Sequence, residues 1–158
     1  MRTDSISSWF DRFAESFGLA MSDHNEVVAR ISRAFEEKGF VVQSRGNNFP
    51  RGSTRRRAIY RPDLLVRREK NGPVRWIVEV ETSEAGKPVV GAAILADICM
   101  EIDCGNRPNL LFVFYRPSAN LQLAEKRLEH LVRQRRVEHL GDITIMTEKD
   151  AIKKICQL

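Results

Sequence analysis

The feature that most constrains the fold of this 158-residue chain is a predicted β-hairpin near its middle. Residues 59–67 and 74–82 are rich in β-branched and apolar side chains, which favours extended strands. The sequence Lys70-Asn71-Gly72 lies between them and is typical of a hairpin turn, because asparagine and glycine tolerate the backbone angles that such turns require. The chain is therefore expected to build its core around a β-sheet.

Further helices and strands surround this hairpin and define an α/β fold class. Helices are predicted over residues 23–38, 88–102, 119–137 and 149–156, and further strands over residues 40–44, 109–115 and 142–146. The sequence of residues 109–115, NLLFVFY, is apolar throughout, as in a central strand that is buried on both faces. The order α-β-β-β-α-β-α-β-α predicts a mixed central sheet flanked by helices.

The length and composition fit one globular domain with an N-terminal appendage. Hydrophobic residues make up 42% of the chain and charged residues 30%, and there is no repeat and no long linker. We expect residues 22–158 to form the domain and residues 1–21 the appendage, in which residues 5–19 have the pattern of an amphipathic helix. This helix could pack on the domain or on a second copy, so a homodimer is one option. Its aromatic residues are Trp9, Phe10, Phe13 and Phe17.

Several classes of protein are disfavoured by the sequence. No apolar run is long enough to cross a membrane, and the N-terminus lacks the pattern of a secretory signal. The longest apolar run, residues 89–102, contains Asp97 and Glu101 and predicts a buried helix with a polar edge. The three cysteines lack metal-finger spacing and favour free thiols in a reducing compartment, and the three histidines are expected at the surface or at helix ends. These observations predict a cytoplasmic protein without a membrane partner.

Positive charge is concentrated in two stretches of the chain, whose formal net charge is +5. The first stretch contains Arg45, Arg51, Arg55, Arg56, Arg57 and Arg61, and the second contains Lys126, Arg127, Arg133, Arg135 and Arg136. Residues 45–57 are also rich in glycine and asparagine, which predicts a mobile loop. Arginine binds phosphate well because its planar guanidinium group can bond two oxygens at once. The pattern fits either a nucleic-acid partner or an ordinary solvated face.

Two acidic residues lie in the second strand of the hairpin. Alternation along this strand puts Ile77, Glu79 and Glu81 on one face. The Cα atoms of the two glutamates are then about 6.5 Å apart, at about 3.3 Å per residue. Because like charges this close repel each other, the pair indicates either a functional site or the solvated face of an edge strand.

The length of the turn decides whether Asp63, in the first strand, joins this face. A two-residue turn sets Asp63 opposite Val80, whereas a three-residue turn with a bulged glycine sets it opposite Glu79. In the second register three carboxylates converge on one place. Such a cluster is unfavourable without a cation, and hard cations such as Mg²⁺ prefer oxygen ligands.

These residues resemble the signature of the PD-(D/E)XK nuclease superfamily, which includes restriction endonucleases and archaeal Holliday junction resolvases. The motif is Pro62-Asp63 followed, after a hairpin, by Glu79-Val80-Glu81. The order of elements over residues 23–146 is also similar to the core fold of that superfamily. The resemblance implies a restriction-endonuclease-like fold, a DNA partner and metal-dependent hydrolysis of DNA phosphodiester bonds.

The resemblance also implies roles for individual residues. Asp63 and Glu79 would bind Mg²⁺ or Mn²⁺, and Glu26 matches the acidic residue that members often carry on the first core helix. Glu26 could equally belong to a helix cap with Asp23. The residues expected to bind DNA are Lys87 and four arginines that would contact its phosphates, Arg51, Arg55, Arg56 and Arg57.

The sequence departs from the superfamily at Glu81, where most members carry a lysine that is thought to orient water and stabilise negative charge. Glu81 could act as a general base or as a further metal ligand, and Lys87 could place its ammonium group in the vacant position. The departure supports a second hypothesis, a nucleic-acid-binding or scaffold module on the same fold that has lost catalysis. A third hypothesis is a protein-interaction domain that uses the aromatic helix of residues 5–19.

Overall fold

The structure is a computed structural model that describes seven stretches of the chain. They are residues 23–44, 47–48, 58–82, 86–103, 106–115, 121–134 and 137–158, and within them the side chains of residues 86–88 and 101–103 are outside the description. The predicted N-terminal appendage, residues 1–21, lies outside these stretches, as does most of the predicted loop over residues 45–57. The architecture below concerns the described residues alone.

The strands of the described stretches form one mixed sheet in the order β1-β2-β3-β4-β5. They are β1 (Val41–Gln43), β2 (Leu64–Arg67), β3 (Val74–Glu81), β4 (Asn109–Phe114) and β5 (Ile143–Thr147). The first three strands pair antiparallel, whereas β3 pairs parallel with β4 and β4 parallel with β5. The α/β class with a mixed central sheet is thereby confirmed, and β4 is central and almost wholly buried, as its apolar sequence predicts.

Helices cover both faces of the sheet. They are α1 (residues 23–37), α2 (Gly86–Asp103), α3 (Leu121–Arg133) and α4 (Glu148–Ile155). Helices α1 and α4 bury apolar residues such as Ile31 against the face of β3 that carries Val78. Helices α2 and α3 cover the other face, where Ala96 packs in one cluster with Ile77. None of the helices in the described stretches is long and apolar enough to cross a membrane.

Several elements differ in extent from the prediction, and a proline lies at the start of two of them. Strand β2 begins at Leu64 rather than at residue 59, because Pro62 has no N–H to donate to a sheet ladder. Helix α2 begins at Gly86, so that Pro88 lies in its first turn, where a missing N–H costs nothing. Of the cysteines in the described stretches, Cys99 is buried and Cys156 is exposed, and neither forms a disulfide.

The hairpin has the register that brings the acidic residues together, although its turn differs from the prediction. Leu64 pairs with Val78, so Asp63 lies opposite Glu79 in the continued register. Residues 68–73 form the connection, which is longer than the expected three residues because Pro73 cannot donate to the ladder. The register then shifts at Arg75, an extra residue on β3, and this bulge restores the predicted alignment.

Candidate active site

Three carboxylates converge where β2 begins and β3 ends. Asp63 immediately precedes β2, and its Oδ2 atom accepts a hydrogen bond of 2.8 Å from the backbone N–H of Val80. Glu79 and Glu81 lie on either side of Val80 in the sequence and share a face of β3, as predicted from strand alternation. The charge of Asp63 raises the pKa of both glutamates, which places the three groups within one electrostatic cluster.

Glu79 is the most deeply placed member of this cluster, with only 7% of its surface exposed. Burial, and then the charge of Asp63, raise its pKa to about 8. The hydroxyl of Tyr60 donates a hydrogen bond to Oε1 of Glu79, which opposes that rise because it stabilises the charged form. A buried carboxylate that faces further carboxylates is costly unless a cation or a proton neutralises it.

Glu81 lies next to this position and is half-buried. Burial, followed by the charge of Asp63, raises its pKa, and His24 acts in the opposite direction. In this structure Glu81 occupies an acidic neighbourhood, where the superfamily pattern would place the ammonium group of a lysine. The side chain can accept a proton or bind a cation, but it cannot supply positive charge.

His24 and Tyr60 are two residues of the site that the sequence did not reveal. His24, expected at the surface or at a helix end, lies at the start of α1 with its Nε2 atom 3.4 Å from Oδ2 of Asp63. Its ring also makes an edge contact with Tyr115, at 6.3 Å between centroids. Tyr60 is buried, and burial together with the charge of Glu79 raises its pKa well above the usual value, so its hydroxyl keeps its proton and serves as a donor. Neither residue belongs to a motif that could have identified it.

The remaining predicted site residues lie elsewhere or outside the description. Glu26 is 62% exposed, and its carboxylate lies 3.7 Å from the guanidinium of Arg30, so α1 brings His24 rather than Glu26 next to Asp63. Lys87 belongs to the first turn of α2, and its side chain is not described. The arginines expected to bind phosphate, Arg51, Arg55, Arg56 and Arg57, lie outside the described residues.

The donor atoms of the cluster suit a hard divalent cation. Asp63, Glu79 and Glu81 offer carboxylate oxygens, which Mg²⁺ and Mn²⁺ prefer, and a cation would offset their mutual repulsion. Within the described stretches, however, no group of three or more His, Cys, Asp or Glu side chains is already arranged to hold a metal ion. Mg²⁺ is usually held by one or two carboxylates and keeps several water ligands, so Asp63 and Glu79 alone would be a sufficient protein ligand set.

Comparison with known proteins found no family model, no curated protein and no solved structure that matches this chain.

Proposed function

We propose that this protein is a Mg²⁺- or Mn²⁺-dependent endonuclease of the PD-(D/E)XK type that hydrolyses DNA phosphodiester bonds. The observation that carries the proposal is the buried carboxylate of Glu79, held beside Asp63 and Glu81, with no lysine or arginine of the described residues among the groups that shift its pKa. Acidic side chains are seldom buried next to each other for stability alone, because each charge disfavours the other. A bound metal ion would offset this repulsion and so explain why the carboxylates lie together.

The fold supports the proposal in a second way. The antiparallel strands β1, β2 and β3 are followed by α2 and the parallel strand β4, an order similar to the core of the PD-(D/E)XK superfamily. Asp63 immediately precedes β2 and Glu79 lies on the adjacent antiparallel strand β3, an arrangement compatible with the sequence motif. The basic stretch before Asp63 adds a phosphate-binding chemistry that suits a DNA partner.

In the proposed mechanism Asp63 and Glu79 hold the cation, which would polarise the scissile phosphate and lower the pKa of the attacking water. Glu81 accepts the proton that this water loses as the new P–O bond forms and the bond to the leaving oxygen breaks. Its raised pKa suits this role, because a general base works best when its pKa is near the working pH. Tyr60 donates a hydrogen bond to Oε1 of Glu79, so Oε2 would be the oxygen available to a cation.

One observation favours a second candidate function, a DNA-binding module that does not cut. Glu81 replaces the lysine that would stabilise negative charge on the phosphate, and its surroundings add negative charge from Asp63. A module of this kind would keep the basic stretches and bind DNA electrostatically, with an affinity that falls as salt rises. It would not require a metal ion.

A cleavage assay separates the two functions. Wild type, Asp63→Ala and the control Asp142→Ala, which removes an exposed carboxylate, are incubated with duplex, branched and single-stranded DNA in Mn²⁺, Mg²⁺ or EDTA. We expect cutting in metal, none in EDTA, and a loss of roughly 100-fold or more in Asp63→Ala, because a metal ligand is removed. The control should cut like wild type.

Binding to the same DNA in EDTA completes the experiment. The nuclease hypothesis predicts that Asp63→Ala binds DNA about as tightly as wild type, because phosphate contacts come from the basic residues. Salt-dependent binding without cleavage in either metal would instead support the DNA-binding module.

A further inference from the structure

Asn47 lies between the end of β1 and the first residue of the carboxylate cluster. Only 4% of its surface is exposed. Its Nδ2 atom lies 3.0 Å from the carbonyl oxygen of Gln43, 3.1 Å from that of Pro62 and 3.1 Å from that of Asp63. One buried amide group thus joins the chain that leaves β1 to the chain that enters β2.

The side-chain amide of Asn47 supplies hydrogen-bond donors at a place that the ladder between β1 and β2 does not reach. The ladder between β1 and β2 ends where Gln43 pairs with Leu65, so the carbonyl groups of Pro62 and Asp63 lie beyond it. Buried carbonyl groups need donors, and Asn47 supplies them from its side chain. The backbone of Asp63 is consequently fixed by a side chain at a point beyond the end of the β1–β2 ladder.

The contacts of the Asn47 amide are made by its Nδ2 group, which is the hydrogen-bond donor. Among the described residues the buried Oδ1 atom of Asn47 has no hydrogen-bond partner, whereas Nδ2 has three oxygens within reach. An unsatisfied buried acceptor destabilises the folded state, so a residue with this defect has to bring a compensating benefit. The contacts identify that benefit as the fixing of residues 62–63.

We propose that Asn47 is a positioning residue for the metal-binding carboxylate of Asp63, an inference that rests on the proposed function. Asp63 is held from two sides: Asn47 bonds its carbonyl oxygen, and the N–H of Val80 bonds its carboxylate. Removing the first contact frees the main chain to shift and moves the carboxylate away from Glu79. The cation should then bind more weakly, although Asn47 does not touch it.

The effect should resemble that of other groups that orient metal ligands, whose loss typically lowers metal affinity about 10–100-fold. The test measures Mn²⁺ binding to the full chain by isothermal titration calorimetry, with thermal melting of each variant recorded beside it. Asn47→Ala is compared with Asn106→Ala, which removes a similar amide donor, to the carbonyl of Val74 at the far end of β3. Asn47→Ser, whose shorter hydroxyl can serve one acceptor, provides a milder variant.

We expect the Kd for Mn²⁺ to rise about 10–100-fold in Asn47→Ala and less in Asn47→Ser. The variant Asn106→Ala should melt at a lower temperature but keep the wild-type Kd. If Asn47→Ala does not fold, the Kd of Asn47→Ser is the test. A wild-type Kd in the folded Asn47 variants would overturn the inference about Asn47 and leave the proposed function standing. A wild-type protein that binds no Mn²⁺ would overturn the proposed function together with the inference.

Discussion

Two buried carboxyl groups of this protein, Glu79 on β3 and Asp97 on α2, have almost the same exposure, 7% and 8%. Their surroundings are opposite. Asp97 accepts a hydrogen bond of 2.6 Å from the backbone N–H of His139, and its second oxygen lies 3.2 Å from Nδ1 of the same residue. Glu79 has a donor in Tyr60 but faces the negative charges of Asp63 and Glu81.

The difference shows that the neighbours of a buried acid, rather than its burial, distinguish a structural role from a functional one. Asp97 fastens the segment before β5 to α2, because a charged acceptor makes a strong bond to a backbone donor. Glu79 is surrounded by groups that raise its pKa, which is typical of catalytic and metal-binding positions. The comparison predicts opposite effects on stability: losing the acceptor oxygens of Asp97 destabilises the fold, whereas losing the charge of Glu79 stabilises it.

The largest change in stability is expected for Asp97→Ala. The backbone N–H of His139 loses its acceptor, which should cost about 2–3 kcal/mol. For a chain of this size the melting temperature should fall by roughly 5–10 °C, as measured by circular dichroism. Asp97→Asn keeps an acceptor oxygen and should retain most of the stability, with or without Mn²⁺. An Asp97→Ala variant that melts like wild type would remove the contrast.

An effect of opposite sign is expected for Glu79→Gln in EDTA. The pKa of Glu79 is raised from 4.5 to about 8, so the folded chain holds a proton that the unfolded chain releases between these values. This contribution to stability is fully present below about pH 4.5, declines as pH rises toward 8 and then levels off. Glutamine has no charge, so the variant should melt higher than wild type by a few degrees at pH 8.

Melting curves from pH 5 to pH 9 check this sign. The gap between Glu79→Gln and wild type should widen from pH 5 to pH 8 and shrink when Mn²⁺ is added to wild type, because a bound cation neutralises the cluster. A variant that is less stable than wild type at every pH would show that Glu79 is structural like Asp97.

The smallest effect is expected for Tyr60→Phe, which removes only the hydroxyl that bonds Glu79. The loss should be about 1 kcal/mol, or a fall in melting temperature of roughly 2–4 °C. That hydroxyl lowers the pKa of Glu79, so without it the carboxyl keeps its proton to a higher pH. The deficit relative to wild type should therefore be larger at pH 8 than at pH 5. A deficit independent of pH would mean that Tyr60 stabilises the fold by packing alone.

The fold could be predicted from the sequence where local patterns determine it. Alternation along β3 placed Glu79 and Glu81 on one face, and the apolar run in β4 predicted its central position. The register that sets Asp63 opposite Glu79 was anticipated, but it arises from a longer connection and a bulge at Arg75. A bulge is a local irregularity that cannot be predicted from the alternation of side chains.

The residues around the carboxylates could not be predicted, because their contacts join distant parts of the chain. His24 on α1 and Asp63 are 39 residues apart in the sequence, and Tyr60 and Glu79 are 19 residues apart. Asp97 was expected on the polar edge of α2 but is buried against the segment that contains His139. Each of these contacts depends on tertiary packing, whereas hydrophobic periodicity predicts only local secondary structure.

The central claim is that the carboxylate cluster binds a divalent cation, and a calorimetric titration with Mn²⁺ at pH 8 tests it most directly. Wild type and Asp63→Ala are titrated side by side, with Asp142→Ala as the control for loss of an exposed acid. The account predicts saturable binding of Mn²⁺ to wild type and to the control, and loss of that binding in Asp63→Ala. Equal binding by all three proteins, or none by wild type, would contradict it.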